Sequence, residues 1–173
     1  MKITIEQLLQ NIDKYSVGTK IELSGIIYTA RDQAHKKLIE MLQQKKSLPI
    51  DLNNACIYYC GPCPSSPEQI IGSCGPTTSS RMDMYTPEML SNGVKILIGK
   101  GKRSIDVVNS IKENKAIYLL ATGGVGALLA NKVKSFEFIA FEDLGPEAIY
   151  KLEVEDFPLI VGIDSNGNSL FNL

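Results

Sequence analysis

Short apolar segments separated by amphipathic segments dominate the second half of the chain, and this alternation constrains the fold most strongly. Each apolar segment has the length of one buried strand, and apolar residues at helical spacing follow two of these segments. The strand candidates are Val94 to Ile98, Ala116 to Leu120, Glu137 to Phe141 and Leu159 to Ile163, and the helix candidates are Ser104 to Glu113 and Val125 to Lys132. The alternation predicts a layered α/β or mixed β/β/α domain.

The first half predicts a strand leading into a helix, followed by a long loop region. Lys20 to Thr29 has the alternation of a strand, and Gly25 within it indicates a bulge or a close approach by another segment. The next segment has apolar residues three or four positions apart, as in an amphipathic helix. These residues are Ala34, Leu38, Met41 and Leu42. Ala55 to Tyr59 is a candidate buried strand, and most of the segment from Asn53 to Asp83 is predicted to be loop.

Length and charge exclude several classes of protein. The 173 residues fit one domain, 1–173, and the 44% apolar content is enough for a sizeable core. The net charge of -1, without a long block of one sign, does not favour nucleic-acid binding. No apolar stretch approaches the roughly 20 residues that a bilayer requires. Acidic and amide residues interrupt the N-terminal segment where a signal peptide would be apolar, so we expect a cytoplasmic location.

A polar segment follows the first predicted strand, where its helix begins. Arg31, Asp32 and His35 lie here, and the free backbone donors of a helix N-terminus favour an anion. Arg31 would add a two-pronged donor for a carboxylate. The structural alternative is that Asp32 is a capping or first-turn acid with Arg31 as its exposed partner, and that His35 is a hydrogen-bonded structural residue.

Three further segments are rich in glycine. Gly72 to Asp83 joins glycines, a proline, four consecutive hydroxyl residues and Arg81, which suits a loop that opens into a helix around an anion. A Ser/Thr-rich turn with a solvated arginine is the alternative. Gly99 to Ser104 lacks the Walker spacing. Ala121 to Gly126 does not have the dinucleotide-binding spacing, so its glycines are predicted to serve close backbone packing.

Cys60 and Cys63 form a C-x-x-C motif, with Cys56 before it and Cys74 after it. Such a motif is compatible with zinc, iron-sulfur or thioredoxin-like chemistry. The irregular spacing of the other two cysteines does not suit zinc, and the prolines that follow do not suit a thioredoxin-like helix. We interpret the four as structural or incidental thiols. A non-catalytic protein that binds a metal or an anion through them is the alternative.

Six longer segments carry the most specific signal. They are Ser24 to Glu40, Ile57 to Pro64, Gly72 to Asp83, Gly99 to Ser104, Ala121 to Ala130 and Phe141 to Asp164. Two strings within them, GPTTSSRMD and FEDLGPEAI, are long and unusual. In this order the segments resemble the class I, iron-sulfur fumarate hydratases and the related tartrate dehydratases, and specifically their C-terminal domain or separate β subunit.

The resemblance implies a fold and a partner. The fold is a swivelling β/β/α domain with a mixed sheet, similar to the mobile domain of aconitase-type hydro-lyases, which closes over a [4Fe-4S] cluster. The cluster's ligands belong to an α subunit, which no stretch of this chain resembles. We therefore expect a chain without metal ligands that is inactive alone, in a hetero-oligomer or as a homodimer of this subunit. The strings KGKRS and ATGGVGALLA favour fumarate hydration to (S)-malate over L(+)-tartrate dehydration.

The resemblance also implies roles for individual residues. Thr77 falls on the catalytic threonine, and three basic residues fall on substrate-binding positions. These are Arg31, Arg81 and Lys100, with Lys102 as the alternative to Lys100. Asp32, His35 and Thr78 are supporting candidates. A dicarboxylate in a partly dry cleft requires fixed cations, and three are available. A threonine hydroxyl is a poor base, so Thr77 either has a cationic neighbour or only orients the substrate.

Overall fold

A mixed sheet of seven strands organises the computed structural model, which describes residues 1–122 and 125–172. The strands are β1 (Lys2–Thr4), β2 (Lys20–Thr29), β3 (Cys56–Tyr58), β4 (Ile96–Gly99), β5 (Ile117–Leu120), β6 (Val133–Ala140) and β7 (Ile149–Ile163). The helices are α1 (Ile5–Gln10), α2 (Asp32–Gln43), α3 (Thr86–Ser91), α4 (Ile105–Glu113) and α5 (Gly126–Ala130). Short 3₁₀ helices cover Ile12–Lys14, Ser79–Met82, Glu142–Glu147 and Leu170–Asn172. None of the helices in the described part is long and apolar enough to cross a membrane.

The sheet closes on itself. Its strand order is β1-β2-β3-β4-β5-β7-β6, and β2 also pairs with β7. Strands β2, β3, β4 and β5 are parallel neighbours, and β7 runs antiparallel to both β5 and β2. The five strands therefore form a closed, barrel-like sheet with β1 and β6 attached outside it. The predicted mixed α/β architecture with a mixed sheet is confirmed, and the closure is a feature that the layered prediction did not include.

Two apolar cores lie on opposite faces of the barrel strands. One core draws buried residues from all five barrel strands and from α1, and the other packs the outer face against α2, α3 and α4. Strand β3 and the residue after it show the alternation: Cys56 and Tyr58 belong to the first core, and Ile57 and Tyr59 belong to the second. Because both faces are buried, these strands appear in the sequence as nearly continuous apolar runs.

The predicted strand Lys20 to Thr29 is confirmed with the same bounds. The pairing of β2 with β7 shifts register between Leu23 and Gly25, which is the predicted bulge. Gly25 has φ +139°, and a Cβ placed there would lie 3.0 Å from Cδ1 of Ile5. Glycine is therefore required both by the backbone conformation and by the close approach of α1.

Two strand predictions were too narrow, and one helix was missed. Strand β7 covers Ile149–Ile163, where only Leu159 to Ile163 was predicted, and β6 begins at Val133 rather than at Glu137. The added part of β7 alternates buried Leu152 and Val154 with charged residues, the pattern of a strand with one solvated face. Helix α3 lies in a stretch for which no element was predicted.

The parallel strands place the site at one edge of the barrel. Because β2, β3 and β4 run in the same direction, their carboxyl ends lie at the same edge. The segments that follow these ends contain Arg31, Gly61 and Lys100. In α/β folds this edge is where ligands bind.

Candidate functional site

Thr77 and Lys100 lie in neighbouring segments at this edge. The backbone N–H of Thr77 donates to the Tyr59 carbonyl at 2.7 Å, which joins the loop to the end of β3. Thr78 forms a parallel β-bridge with Lys100, and the N–H of Ser79 donates to the Lys100 carbonyl at 3.0 Å. The structure therefore brings together two of the predicted site segments, which are more than 20 positions apart in the sequence.

Ser79 holds the segment of Thr77 against the segment of Lys100, and sequence reasoning did not identify Ser79. Its Oγ accepts a hydrogen bond from the backbone N–H of Lys100 at 3.0 Å and lies 2.8 Å from the Tyr118 hydroxyl. A Cβ at Gly99 would lie only 2.0 Å from Ser79 Oγ, so no larger residue fits there. The glycine at the start of GKGKRS thus leaves room for the side chains of Ser79 and Tyr59.

The two candidate lysines have different surroundings. Lys100 is half-buried at the strand end, whereas Lys102 is exposed beyond the turn at Gly101, whose φ is +83°. Only Lys100 takes part in the bridge to Thr78. Arg81 is exposed on the 3₁₀ helix that follows Thr78. Among the described residues, none of these three cations is paired with an acid.

Arg31 stands at the start of α2, beside the end of β3. The N–H of Ala30 donates to the Tyr58 carbonyl at 3.0 Å, and Arg31 is the N-cap of the helix. Its Nε lies 3.9 Å from Oε1 of Glu147, and both atoms are buried without a hydrogen-bond partner in the described structure. Asp32 is a first-turn acid whose Oδ1 is also buried without a partner. The acid nearest to Arg31 in space is therefore Glu147, which sequence reasoning did not identify.

The side chain of His35 points into the protein interior. Its Nδ1–H donates to the Arg31 carbonyl at 2.8 Å, and its ring lies between Tyr59 and Tyr85 at centroid distances of 5.5 and 6.0 Å. Burial lowers the pKa of His35 to about 4, and the positive charge of Arg103 acts in the same direction. The imidazole is thus neutral near pH 7 and holds the backbone of Arg31 rather than facing solvent.

Arg103 is a second buried feature that sequence reasoning missed. Its side chain is fully enclosed, with Nε donating to Asp83 Oδ1 at 2.7 Å and Nη2 donating to Thr86 Oγ1 at 2.7 Å. The guanidinium lies about 5 Å from the ring centres of Tyr59 and Tyr118. These partners are distant in sequence, so only the basic string KGKRS hinted at a role for this residue.

The segment FEDLGPEAI supplies Glu147. Its 3₁₀ helix Glu142–Glu147 contacts α2, and Lys37 of α2 forms an ion pair with Asp143 at 2.6 Å. The hydroxyl of Tyr150 donates to the Gly145 carbonyl at 3.2 Å. These contacts hold Glu147 beside Arg31, and the only sequence signal for this was the resemblance of the whole string to a known family.

The glycines of Ala121 to Gly126 were predicted to serve close packing. At Gly126 the prediction is confirmed, because a Cβ there would lie 2.1 Å from Ser73 Oγ and 2.9 Å from the backbone nitrogen of Gly75. Gly123 and Gly124 lie outside the described residues.

The four cysteines are free thiols, with Cys56, Cys60 and Cys74 buried and Cys63 exposed. Burial raises the pKa of Cys56 and Cys60 well above the usual range and that of Cys74 to about 12, which disfavours the thiolate that a metal requires. In residues 1–122 and 125–172 no three His, Cys, Asp or Glu side chains are placed to hold a metal ion. The described side chains therefore do not fit an iron-sulfur cluster.

Comparison with known proteins identifies the family. The family described as Fumarase C-terminus matches residues 1–173. The chain is 41% identical to a protein of Methanocaldococcus jannaschii that is named, provisionally, L(+)-tartrate dehydratase subunit beta, over 99% of this chain and 91% of that protein. It is 38% identical to "Fumarate hydratase 2" of Leishmania major and 39% identical to the aerobic class I fumarate hydratase of Salmonella typhimurium.

The lengths of these relatives differ. The matches cover 99% and 96% of this chain but only 31% and 29% of the two fumarate hydratases, so the chain spans about a third of their length. The subunit from M. jannaschii, in contrast, is matched over nearly its whole length. The chain belongs to the Fumarase C-terminus family, and it is similar to about a third of two fumarate hydratases and to nearly the whole of a provisionally named tartrate dehydratase β subunit.

Proposed function

We propose that this chain is the β subunit of an iron-sulfur-dependent hydro-lyase that catalyses the reversible hydration of fumarate to (S)-malate. The observation that carries the proposal is the carboxyl edge of the barrel, where the segment of Thr77 and Thr78 joins the end of β3 and pairs with Lys100, and where Arg31 follows the end of β2. The names of the relatives supply the reaction class.

The cations at this edge suit a dicarboxylate. Lys100 and Arg81 have no acidic partner among the described residues, and Arg31 is held near one acid without a hydrogen bond to it. A substrate with two carboxylates loses much of its hydration on entering a cleft, and fixed cations compensate for that loss. Arg31 and Arg81 would each receive a carboxylate through a two-pronged contact, and Lys100 would act as a point charge.

Thr77 would touch the reacting part of the substrate. Among the described residues its hydroxyl makes no hydrogen bond, while its backbone is fixed by the bond to Tyr59. Its segment pairs with that of Lys100 through the bridge at Thr78, and a lysine ammonium directed at this hydroxyl would favour any negative charge that develops on it. Thr77 would then exchange a proton at the carbon next to a carboxylate, or it would only orient the substrate. Thr78 and His35 would support the site by holding the segments of Lys100 and Arg31, through the β-bridge and through the bond to the Arg31 carbonyl. Asp32 would contribute as the first-turn acid of α2.

A [4Fe-4S] cluster, in this proposal, is held by an α subunit that completes the active site. The described cysteines do not fit that cluster. The barrel-like domain would swivel against the α subunit to close the site, in a hetero-oligomer or around a homodimer of this subunit, in the cytoplasm.

A second candidate substrate is L(+)-tartrate. The specific observation in its favour is that the relative of matching length carries the name of a tartrate dehydratase subunit. Both candidates are dicarboxylates that undergo addition or loss of water, so the three cations serve either one.

The test is to produce the chain with and without the α subunit that accompanies it, under anaerobic conditions. We expect the pair to turn over fumarate with a higher kcat/KM than L(+)-tartrate, and the chain alone to be inactive. A higher kcat/KM for tartrate would select the second candidate. A pair that carries a cluster but acts on neither compound would refute the hydro-lyase proposal, and stoichiometric zinc in the purified chain would favour the metal-binding alternative.

A further inference from the structure

We propose that Glu147 and Gly61 are positioning residues that hold the Arg31 guanidinium in the orientation in which it receives a carboxylate. This inference rests on the proposed function, because it assigns Arg31 to the substrate. It gives a role to two segments whose residues have no part in the chemistry proposed above, the C-x-x-C turn and the string FEDLGPEAI.

Glu147 and Arg31 form an incomplete pair. Nε of Arg31 and Oε1 of Glu147 are 3.9 Å apart, within reach of charge attraction but too far for a hydrogen bond. Both atoms are buried without any hydrogen-bond partner in the described structure, and the two side chains are only 25% and 28% exposed. A movement of about 1 Å would bring them to the distance of a charge-assisted hydrogen bond.

The shape of the guanidinium indicates how this pair would orient Arg31. Arginine offers its donors along separate edges of a planar group. If Nε faces Glu147, the edge formed by the two terminal nitrogens is directed elsewhere and is free for a substrate carboxylate. Glu147 would thus set the orientation of the fork, and it need not touch the substrate.

Gly61 provides the surface on which the side chain lies. A Cβ at this position would lie 3.0 Å from Cδ of Arg31, 3.1 Å from Nη1 and 3.3 Å from the carbonyl oxygen of Pro146. The backbone of Gly61 is not in the left-handed region, so alanine is compatible with its conformation. The absence of a side chain therefore matters for the packing of Arg31. A Cβ at this glycine of the C-x-x-C turn would make Arg31 or the Pro146 carbonyl shift by a few tenths of an ångström, whatever the role of the thiols.

The segment that carries Glu147 is itself anchored. Asp143 pairs with Lys37 at 2.6 Å, and Pro146 lies next to Gly61. Arg31 is thus enclosed between the turn after β3 and the 3₁₀ helix before β7. A substitution in either segment should change substrate binding without removing a group that contacts the substrate.

The experiment uses the chain reconstituted with its α subunit and compares Glu147→Ala, Arg31→Ala and the double variant. We expect Glu147→Ala to raise KM by about fivefold to tenfold, and to change little when Arg31 is already alanine, because residues that act through each other are not additive. The affinity for succinate, a dicarboxylate that does not react, should fall by a similar factor. Glu147→Gln keeps an oxygen acceptor and should recover most of the loss.

Glu142→Ala is the matched control, since Glu142 is exposed in the same 3₁₀ helix and has no ion pair among the described residues. We expect it to leave KM unchanged. Gly61→Ala provides a second route if Glu147→Ala does not fold, and it should raise KM with little change in the melting temperature.

The outcomes separate the two proposals. Inactivity of the unsubstituted pair toward both dicarboxylates would count against the proposed function. An active pair in which the effects of Glu147→Ala and Arg31→Ala add, or in which Gly61→Ala leaves KM and succinate affinity unchanged, would overturn the positioning role and leave the proposed function standing.

Discussion

Two arginines lie near the carboxyl edge of the barrel, and their surroundings differ. Arg103 donates to Asp83 and Thr86 and lies against the rings of two tyrosines, so its donors face protein partners. Arg31 has a buried Nε without a hydrogen bond and one acid at 3.9 Å. An arginine whose donors are already used contributes to the structure, whereas one with free donors can receive a ligand.

The difference extends to the regions around them. Arg103 connects Tyr59, at the end of β3, to Thr86 of α3 and to Asp83, which ends the 3₁₀ helix Ser79–Met82. Arg31 lies between two turns, with an exposed fraction of 25% for its side chain. The molecule thus combines a rigid support with an incompletely paired cation at the same edge.

The largest effect is expected for Arg103→Met, measured as the free energy of unfolding in a denaturant titration. Removing one partner from a buried ion pair leaves Asp83 without its cation and Thr86 without its donor, which typically costs about 3 kcal/mol or more. Lys102→Ala, at the exposed neighbouring position, is the control and should stay within about 0.5 kcal/mol. Equal stability of Arg103→Met and the unsubstituted chain would contradict a structural role for Arg103 and would group it with the cations that are available to a ligand.

A second effect is expected for Arg81→Lys in the reconstituted pair. The substitution keeps the charge but removes the planar fork, so a charge-assisted hydrogen bond worth about 1.5 to 3 kcal/mol is lost. This corresponds to roughly a 10-fold to 150-fold fall in kcat/KM. Because Arg81 is exposed in the chain alone, its unfolding free energy should not change. A change in kcat/KM of less than about threefold, at equal cluster content, would show that Arg81 is a solvated surface residue that does not bind the substrate.

A third prediction concerns the pH dependence of the free energy of unfolding, because His35 is buried in the rigid support that also contains Arg103. Burial holds its folded-state pKa at about 4, below the ordinary 6.5, so between these values the unfolded chain binds a proton that the folded chain does not. The contribution to stability is complete above pH 6.5 and is lost as the pH falls toward 4. The slope should approach about 1.4 kcal/mol per pH unit in that window.

His35→Asn tests this assignment. The asparagine amide can still donate to the Arg31 carbonyl but does not titrate in this range. Denaturation at a series of pH values from 4 to 7 should therefore show a shallower dependence for the variant. The same slope in both proteins would mean that His35 is already exposed to protonation in the folded chain.

The elements of the fold were predicted where local pattern determines structure. The strand Lys20–Thr29, its bulge at Gly25 and the amphipathic helix α2 all follow from the spacing of apolar residues and one glycine. The closure of β2 on β7 did not follow, since pairing between strands more than 100 positions apart leaves no local signal. The long β7 was missed because charged residues on its solvated face interrupt the apolar run.

The candidate site divides in the same way. Thr77, Arg31 and Lys100 could be named because short strings around them resemble a family, and the structure places their segments at one edge. Glu147, Ser79 and Arg103 could not be named from the residues, because each acts through contacts with segments distant in the sequence. A buried partner is defined by three-dimensional proximity, and a local pattern does not encode it.

The smallest effect is expected for the thiols of the C-x-x-C turn. The turn is held by backbone bonds, from the Cys60 N–H to the Tyr58 carbonyl and from the Cys63 N–H to the Ser73 carbonyl, both at 2.9 Å. Neither bond uses a sulfur atom, and the turn supports Arg31 through Gly61. Replacing both cysteines with alanine should therefore retain the turn. Cys63 is exposed and should contribute almost nothing, and the buried Cys60 should cost about 1 kcal/mol in lost packing.

In the reconstituted pair we expect the iron content and kcat/KM to stay within about twofold of the unsubstituted values, because a buried thiol with a raised pKa is a poor metal ligand. Loss of iron from the double variant, with the fold intact by circular dichroism, would show that these thiols bind the cluster and that the edge around Arg31 supplies metal ligands as well as a carboxylate site.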